Sequence, residues 1–208
     1  MAARFAMLAL AFGLLAPAAY ATGPVETVPR ATSYQKHQIT VSTGGAPIAT
    51  SDFVKVIMDC DSYPLTATYF GVRALEKCKT LDHLSDGSAI IVQRTGGKLG
   101  ISSRHYVLQI RVVSQTEDRA EIQWDLVKNT QSGSTYAGPY ADALNADPDA
   151  VYTPYNVGGW IYDKKAGNIT YWVATDPGGS LPDFMQSEGA LMAFPKELLK
   201  VRWGVVAD

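Results

Sequence analysis

The side chains able to do chemistry are few and scattered in this chain. His37, His83 and His105 stand far apart, and nothing has C-x-x-C or H-x-x-x-H spacing, so a zinc site is not expected. There is no G-x-S-x-G, H-E-x-x-H, P-loop or G-x-G-x-x-G segment either. We therefore assign no catalytic residue, no metal and no cofactor. What remains is two cysteines, Cys60 and Cys78, the pair Gly178-Gly179, the cation Arg104, and Glu188. Ahead of a helix, two glycines can form a nest for an anion, but a tight strand-to-helix turn uses glycine for its backbone freedom alone and is the expected reading. Arg104 either pairs in the interior or sits at a strand edge.

Glu188 is conspicuous because of its neighbours. At about 100° per residue, Leu181, Phe184, Met185, Glu188, Leu191, Met192, Pro195, Leu198 and Leu199 share one face of a C-terminal helix. A carboxylate on that face costs several kcal/mol unless it is paired, hydrogen-bonded or turned to water. It either leaves the helix end for solvent or points inward, where it would orient a polar group or pair with Arg104. Ser180 and Asp183 form an S-x-x-D capping box for this helix, and Pro182 suits its first turn. Pro195 should bend it or open a second segment.

The remaining elements read mostly as strands. His37 to Val41 alternates, Ser51 caps a short helix from Asp52 to Asp59 carrying Phe53, Val56 and Ile57, and strand signals recur from Tyr69 to Thr175. Glycine-bearing turns such as Asp86-Gly87 and Lys164 to Gly167 join neighbours into hairpins, which gives an antiparallel meander. Tyr106, Leu108, Ile110 and Val112 oppose Gln109 and Arg111, while Ile122, Trp124 and Leu126 oppose Gln123 and Asp125. One face is dry and the other wet. The sheet then buries its dry face by curling round the C-terminal helix, an α+β arrangement.

At the N-terminus, Arg4 precedes an apolar run from Phe5 to Leu15, then Pro17 and the small-residue pattern Ala19-Tyr20-Ala21. This reads as a secretory signal over residues 1–21; the run is shorter than the roughly 20 residues a bilayer needs, so an uncleaved anchor is the alternative. Residues 22–35 form a polar, flexible lead-in, and 36–208 make one domain, long enough to bury roughly 70% of its unfolded surface. Export to the periplasm or outside favours a Cys60–Cys78 bridge, worth about 3 kcal/mol, over two separate thiols. A net charge of −2 with 18% charged residues argues against nucleic acid as a partner. Residues 129–156 are a long Gly/Pro/Tyr-rich insert whose tyrosines read as a lid.

Several segments together resemble a START-type lipid-binding domain, part of the helix-grip superfamily that also holds polyketide cyclases and pollen-allergen-like proteins. They are the short helix ending in the D-x-x-x-x-P turn from Asp59 to Pro64, the run Ser102-Ser103-Arg104-His105-Tyr106-Val107, Gly159-Trp160, and Asp176-Pro177-Gly178-Gly179 followed by Leu181-Pro182. The likeness covers Lys36 to Trp203. His105 stands where the family usually carries Asp. The resemblance implies a helix-grip fold, a curved antiparallel sheet wrapped around a long C-terminal helix with a hydrophobic tunnel between them. It also implies a non-catalytic carrier of a lipid or other apolar small molecule, acting as a monomer with transient membrane contact allowed. Leu108, Ile110 and Trp124 on the sheet, and Phe184, Met185, Leu191 and Met192 on the helix, are then expected to line the cavity, with Glu188 or Arg104 orienting the ligand. Two other functions fit the same pattern: a cyclase- or hydrolase-like enzyme, or an interaction module whose interior lacks a cavity of about 300 Å³ or more.

Overall fold

Alternation along the central strands gives them two burying faces, and the turn residues decide how they join. The computed structural model describes residues 25–97, 100–179 and 187–206. The strands are β1 (Lys36–Ser42), β2 (Thr68–Tyr69), β3 (Val72–Arg73), β4 (Lys77–His83), β5 (Ala89–Thr95), β6 (Arg104–Gln115), β7 (Arg119–Leu126), β8 (Thr130–Ser132), β9 (Thr135–Ala137), β10 (Val151–Tyr152), β11 (Tyr155–Asp163) and β12 (Asn168–Asp176). The helices are α1 (Thr50–Met58), α2 (Ala141–Asn145) and α3 (Glu188–Trp203), with one 3-10 turn at Cys60–Ser62.

Eight strands form one sheet in the order β1-β12-β11-β7-β6-β5-β4, antiparallel throughout except for β10, which lies parallel to β6. The hairpins turn where the glycines stand: at Gly87, with a φ of 83°, Asp86 also accepts from the backbone and hydroxyl of Ser88 at 2.9 and 2.6 Å. The first strand closes the sheet by pairing with the last. With α3 following β12, this is an α+β helix-grip fold.

α1 starts two residues earlier than its sequence suggests. Its N-cap is Ala49, not Ser51, and makes no side-chain cap; Thr50 instead donates to the Thr116 carbonyl at 2.8 Å, tying the helix to the β6–β7 turn. Phe53 and Ile57, one turn apart, are fully buried. Phe53 stacks on Trp203 of α3 at 5.6 Å and meets the edge of Trp160 on β11 at 6.5 Å, so α1 plugs one end of the space between sheet and α3. Cys60 and Cys78 are joined in a disulfide, which staples the 3-10 turn to β4.

α3 opens at Ser187, whose hydroxyl accepts from the Ala190 N–H at 3.4 Å, and closes on Gly204 in a left-handed conformation at φ 67°. Because Ser187 has extended backbone, the helix does not run back to the Ser180 box; Ser180 and Asp183 themselves lie outside the described residues, as do residues 1–24 with the expected signal. Pro195 does not divide the helix: α3 passes through it as one element, with the ring buried.

The lead-in and the second face of the sheet both make more contacts than their sequence suggests. The lead-in from residue 25 is laid along the sheet: Val28 N–H donates to Leu126 O at 2.8 Å, Arg30 pairs with the buried Asp125 at 2.7 Å, and Tyr34 stacks on Tyr155 at 4.1 Å. Thr27 also forms an isolated bridge with Val127, just past the end of β7. The second face of the sheet is also not uniformly wet. Ile90, Val92 and Val107 are buried there beneath Tyr136, Tyr140, Ala141 and Leu144, so this part of the insert covers the face away from α3, while Thr153 and Asn156 at its end reach the cavity wall. Asn145 holds it, bracketing Tyr136 with bonds of 2.8 and 3.0 Å to its N–H and carbonyl, and Tyr140 donates to Asp82 at 2.8 Å.

Candidate ligand cavity

Between the concave face of the sheet and α3 lies a cavity of about 160 Å³. The inward-pointing residues of five strands make its wall: Ile91 on β5, Tyr106, Leu108 and Ile110 on β6, Trp124 on β7, Trp160 on β11, Tyr171 and Val173 on β12. Leu191 and Phe194 close it from α3, and Tyr63 and Leu75 from the segment between α1 and β4. The volume resembles that of an engineered cavity of about 150 Å³ that takes benzene; being below roughly 300 Å³ it meets the size condition for an interaction module, so the lining and not the size is what favours a ligand.

Trp124 is placed by a glycine. A Cβ at Gly158 would lie 2.0 Å from Cζ2 of Trp124, so only a bare backbone on β11 lets the indole lie across it. The indole N–H then donates to Asn156 Oδ1 at 2.8 Å, and Thr175, beside Asn156 on the next strand, donates to the Tyr155 carbonyl at 2.9 Å. This buried network is satisfied within itself.

The other end of the wall is built around Arg104, the first residue of β6, with 5% of its surface exposed. Its guanidinium donates to the carbonyls of Ser102, of Pro177 at 3.4 Å and of Gly178 at 3.3 Å. Burial lowers its pKa. Both sequence alternatives for Arg104 thus merge: it is at a strand end, buried, and grips the turn that leaves β12. That turn presents carbonyls to a cation, and the Gly178 N–H is taken by Asp176 Oδ1 at 2.9 Å, which fits a tight turn.

Of the residues expected to meet here, Leu108, Ile110, Trp124, Leu191 and Arg104 do line the cavity. Met192 is 1% exposed but packs into the core beside it, off the wall. Glu188 is not part of it: it is exposed, on a shallow surface groove beside β1 with Lys196 and Val206. With the helix starting at Ser187, Glu188 falls in its solvated first turn, where a carboxylate suits the helix dipole and carries no burial cost. Phe184 and Met185 lie outside the described residues.

Sequence reasoning missed the polar half of the wall. Tyr106 and Tyr171 border the cavity, 9% and 8% exposed, and neither hydroxyl has a hydrogen-bond partner among the described residues. Tyr63, near Tyr171, donates to the Ile57 carbonyl. Burial pushes the pKa of all three phenols up, and Tyr171 is raised further by Tyr106 and Tyr63 close by. Thr153, 1% exposed, brings a further buried hydroxyl without a partner to the wall. Tyr106 was within reach, since it alternates with Leu108; Thr153 sits in the insert, where no periodicity reads.

His105 points to the opposite face. It is fully buried against the edge of Tyr136 at 5.2 Å, and neither ring nitrogen has a hydrogen-bond partner. Burial, aided by Arg94 and Lys77 and opposed by Asp147, lowers its pKa to about 4. Among the described residues no three His, Cys, Asp or Glu side chains gather as a metal site.

Compared by sequence, the chain matches no family model and no curated relative. By structure it is similar to the STAR-related lipid transfer protein from Xanthomonas axonopodis, with a TM-score of 0.53 at 14% identity over 86% of this chain and 97% of that one. It is also similar to human STARD10, with a TM-score of 0.53 at 13% identity over 79% of this chain and 60% of that one. The fold is START-type.

Proposed function

We propose that the protein is an exported, non-catalytic carrier or binding protein for a lipid or other apolar small molecule, held between the sheet and α3. The observation that carries this reading is an apolar, aromatic-walled cavity lying where a START-type fold has its helix against its sheet. The arrangement of polar groups supports binding without reaction: Arg104 is occupied with backbone carbonyls, Trp124 with Asn156, and the one buried histidine faces the other way. The Cys60–Cys78 bridge supports an oxidising compartment, the periplasm or the exterior. No helix among the described residues is long and apolar enough to cross a membrane.

A ligand larger than a single ring requires the wall to move. The wall on the α3 side is the separable one: α3 meets the strands chiefly at β2 and at the edge strand β1, and Ser187 at its start donates to the Tyr69 hydroxyl of β2 at 3.2 Å. Native mass spectrometry of the protein purified from its own compartment, followed by uptake from a broad lipid panel, tests the proposal. A co-purifying apolar molecule, or saturable uptake of one, is expected. A protein that carries nothing and takes up nothing is an interaction module with a packed interior.

A further inference from the structure

With Glu188 on the outer surface and the Arg104 guanidinium directed at three carbonyls, neither charged residue is set to orient a ligand inside the cavity. The hydroxyls of Tyr106 and Tyr171 are. They come from β6 and β12, which are separated in the sheet by β7 and β11, yet curvature sets both on the wall of the one cavity, and Tyr106 is near enough to Tyr171 to raise its pKa. Both rings are more than nine-tenths buried, and neither hydroxyl has a hydrogen-bond partner among the described residues. Both oxygens open on the cavity rather than being sealed in the protein, so a molecule that enters can complete them, and one that fills the space without doing so leaves two hydroxyls unpaired.

Resting on the carrier reading above, we propose that the ligand is not a plain hydrocarbon but an apolar molecule bearing one neutral hydrogen-bonding group, a hydroxyl or a carbonyl, which it places between Tyr106 and Tyr171. A carbonyl oxygen accepts from both phenols; a hydroxyl accepts from one and donates to the other. The group is neutral because the cations on the wall, Arg73 and Arg104, belong to the end formed by Gly96, Ser102 and Pro177, where Gly96 N–H meets the Arg73 carbonyl at 2.9 Å. An anion between two phenols whose own ionisation is suppressed by burial would be desolvated without a counter-charge. The rest of the surroundings, Trp124, Trp160 and Val173, are apolar and give the body of the ligand its burial.

The test uses the exported full-length domain and three one-ring probes sized to the cavity: toluene, p-cresol and p-toluate, with affinities read by calorimetric titration. We expect p-cresol to bind at least tenfold tighter than toluene, and p-toluate to bind weakest. In Tyr106→Phe/Tyr171→Phe the cresol advantage should shrink to less than twofold, while toluene binds at least as well as before, which shows in the same experiment that the cavity is intact. Each single Phe variant should show an intermediate advantage. Equal binding of toluene and p-cresol by the unaltered protein would mean that water satisfies the phenols, and the proposal falls. It falls also if the cresol preference survives in the double variant, or if p-toluate binds tightest. Lipid uptake that persists with no dependence on the two phenols overturns this inference alone; loss of the carrier reading requires that neither lipids nor ring probes enter.

Discussion

On β5, Ile91 borders the cavity, whereas Ile90 and Val92, its neighbours in the chain, are sealed on the opposite face beneath the insert. The same alternation on β6 sends Tyr106 towards α3 and His105 towards Tyr136. Each face thus carries polar groups without partners, but in different settings. The phenols border a cavity and can be completed by an entering molecule. His105 is packed against a fixed wall and stays neutral, and its unpaired nitrogens are a cost that the surrounding burial of Leu144, Val107 and Tyr136 offsets. A face built for a ligand and a face built for stability can therefore be told apart by what their polar atoms are near, even where the strands are shared.

The sharpest way to break this contrast is to truncate the two adjacent isoleucines. Ile90→Ala should cost about 4 kcal/mol, because every atom removed leaves packed neighbours behind, and Ile91→Ala about 2 kcal/mol, because one side of that residue already faces the cavity. Urea unfolding measures both, and equal losses would mean that the concave face is packed as tightly as the convex one. A smaller effect comes from pH. The folded-state pKa of His105 is about 4 against an ordinary 6.5, so the unfolded chain takes up the proton first. Stability from this site is complete above pH 6.5, declines as the pH falls from there, and is fully lost below about 4, for a change on the order of 3 kcal/mol. His105→Phe should flatten that part of the pH–stability curve; an unchanged slope would assign it to carboxylates instead. The smallest change concerns only the cavity. Leu191→Trp should cut uptake of a fluorescent lipid analogue at least tenfold while shifting stability by no more than about 1 kcal/mol, since the indole grows into the cavity. Undiminished uptake would place the ligand elsewhere on the molecule.

Much of the architecture is legible from periodicity. Strands β4 to β7, β11 and β12, their turns and a C-terminal helix follow from local pattern, whereas β8, β9 and β10 lie in the insert and do not; alternation puts Leu108, Ile110 and Trp124 on the dry face, and the resemblance makes that face a cavity wall. Errors arose where tertiary contacts override a local signal. The stripe from Leu181 to Leu199 reads as one helix, yet Ser187 caps α3, so that Glu188 stands in its first turn and, of its two alternatives, takes solvent. The tyrosines of the insert announce burial, but a sequence carries no sign of which face they bury: Tyr136 and Tyr140 lie on the face away from α3, whereas Thr153 and Asn156 reach the cavity. The partnerless hydroxyls of Tyr106, Tyr171 and Thr153 had no signal, because a missing partner is a property of the assembled wall and of no single strand.

The pairing of β1 with β12 has a consequence for how the chain reaches its fold. Thr40 and Thr170 join hydroxyls at 2.9 Å across 130 residues of sequence, so the strand made first waits for the strand made last. Until Asn168–Asp176 is available, Gln38-Ile39-Thr40-Val41 offers a ladder of unanswered N–H and C=O groups to any other chain nearby. Such long-range closure is slow, and the incomplete species is the one exposed to misassembly. A ribosome stalled short of β12, or a protease cut in the β11–β12 turn, would therefore release a fragment whose first strand seeks a partner in another molecule.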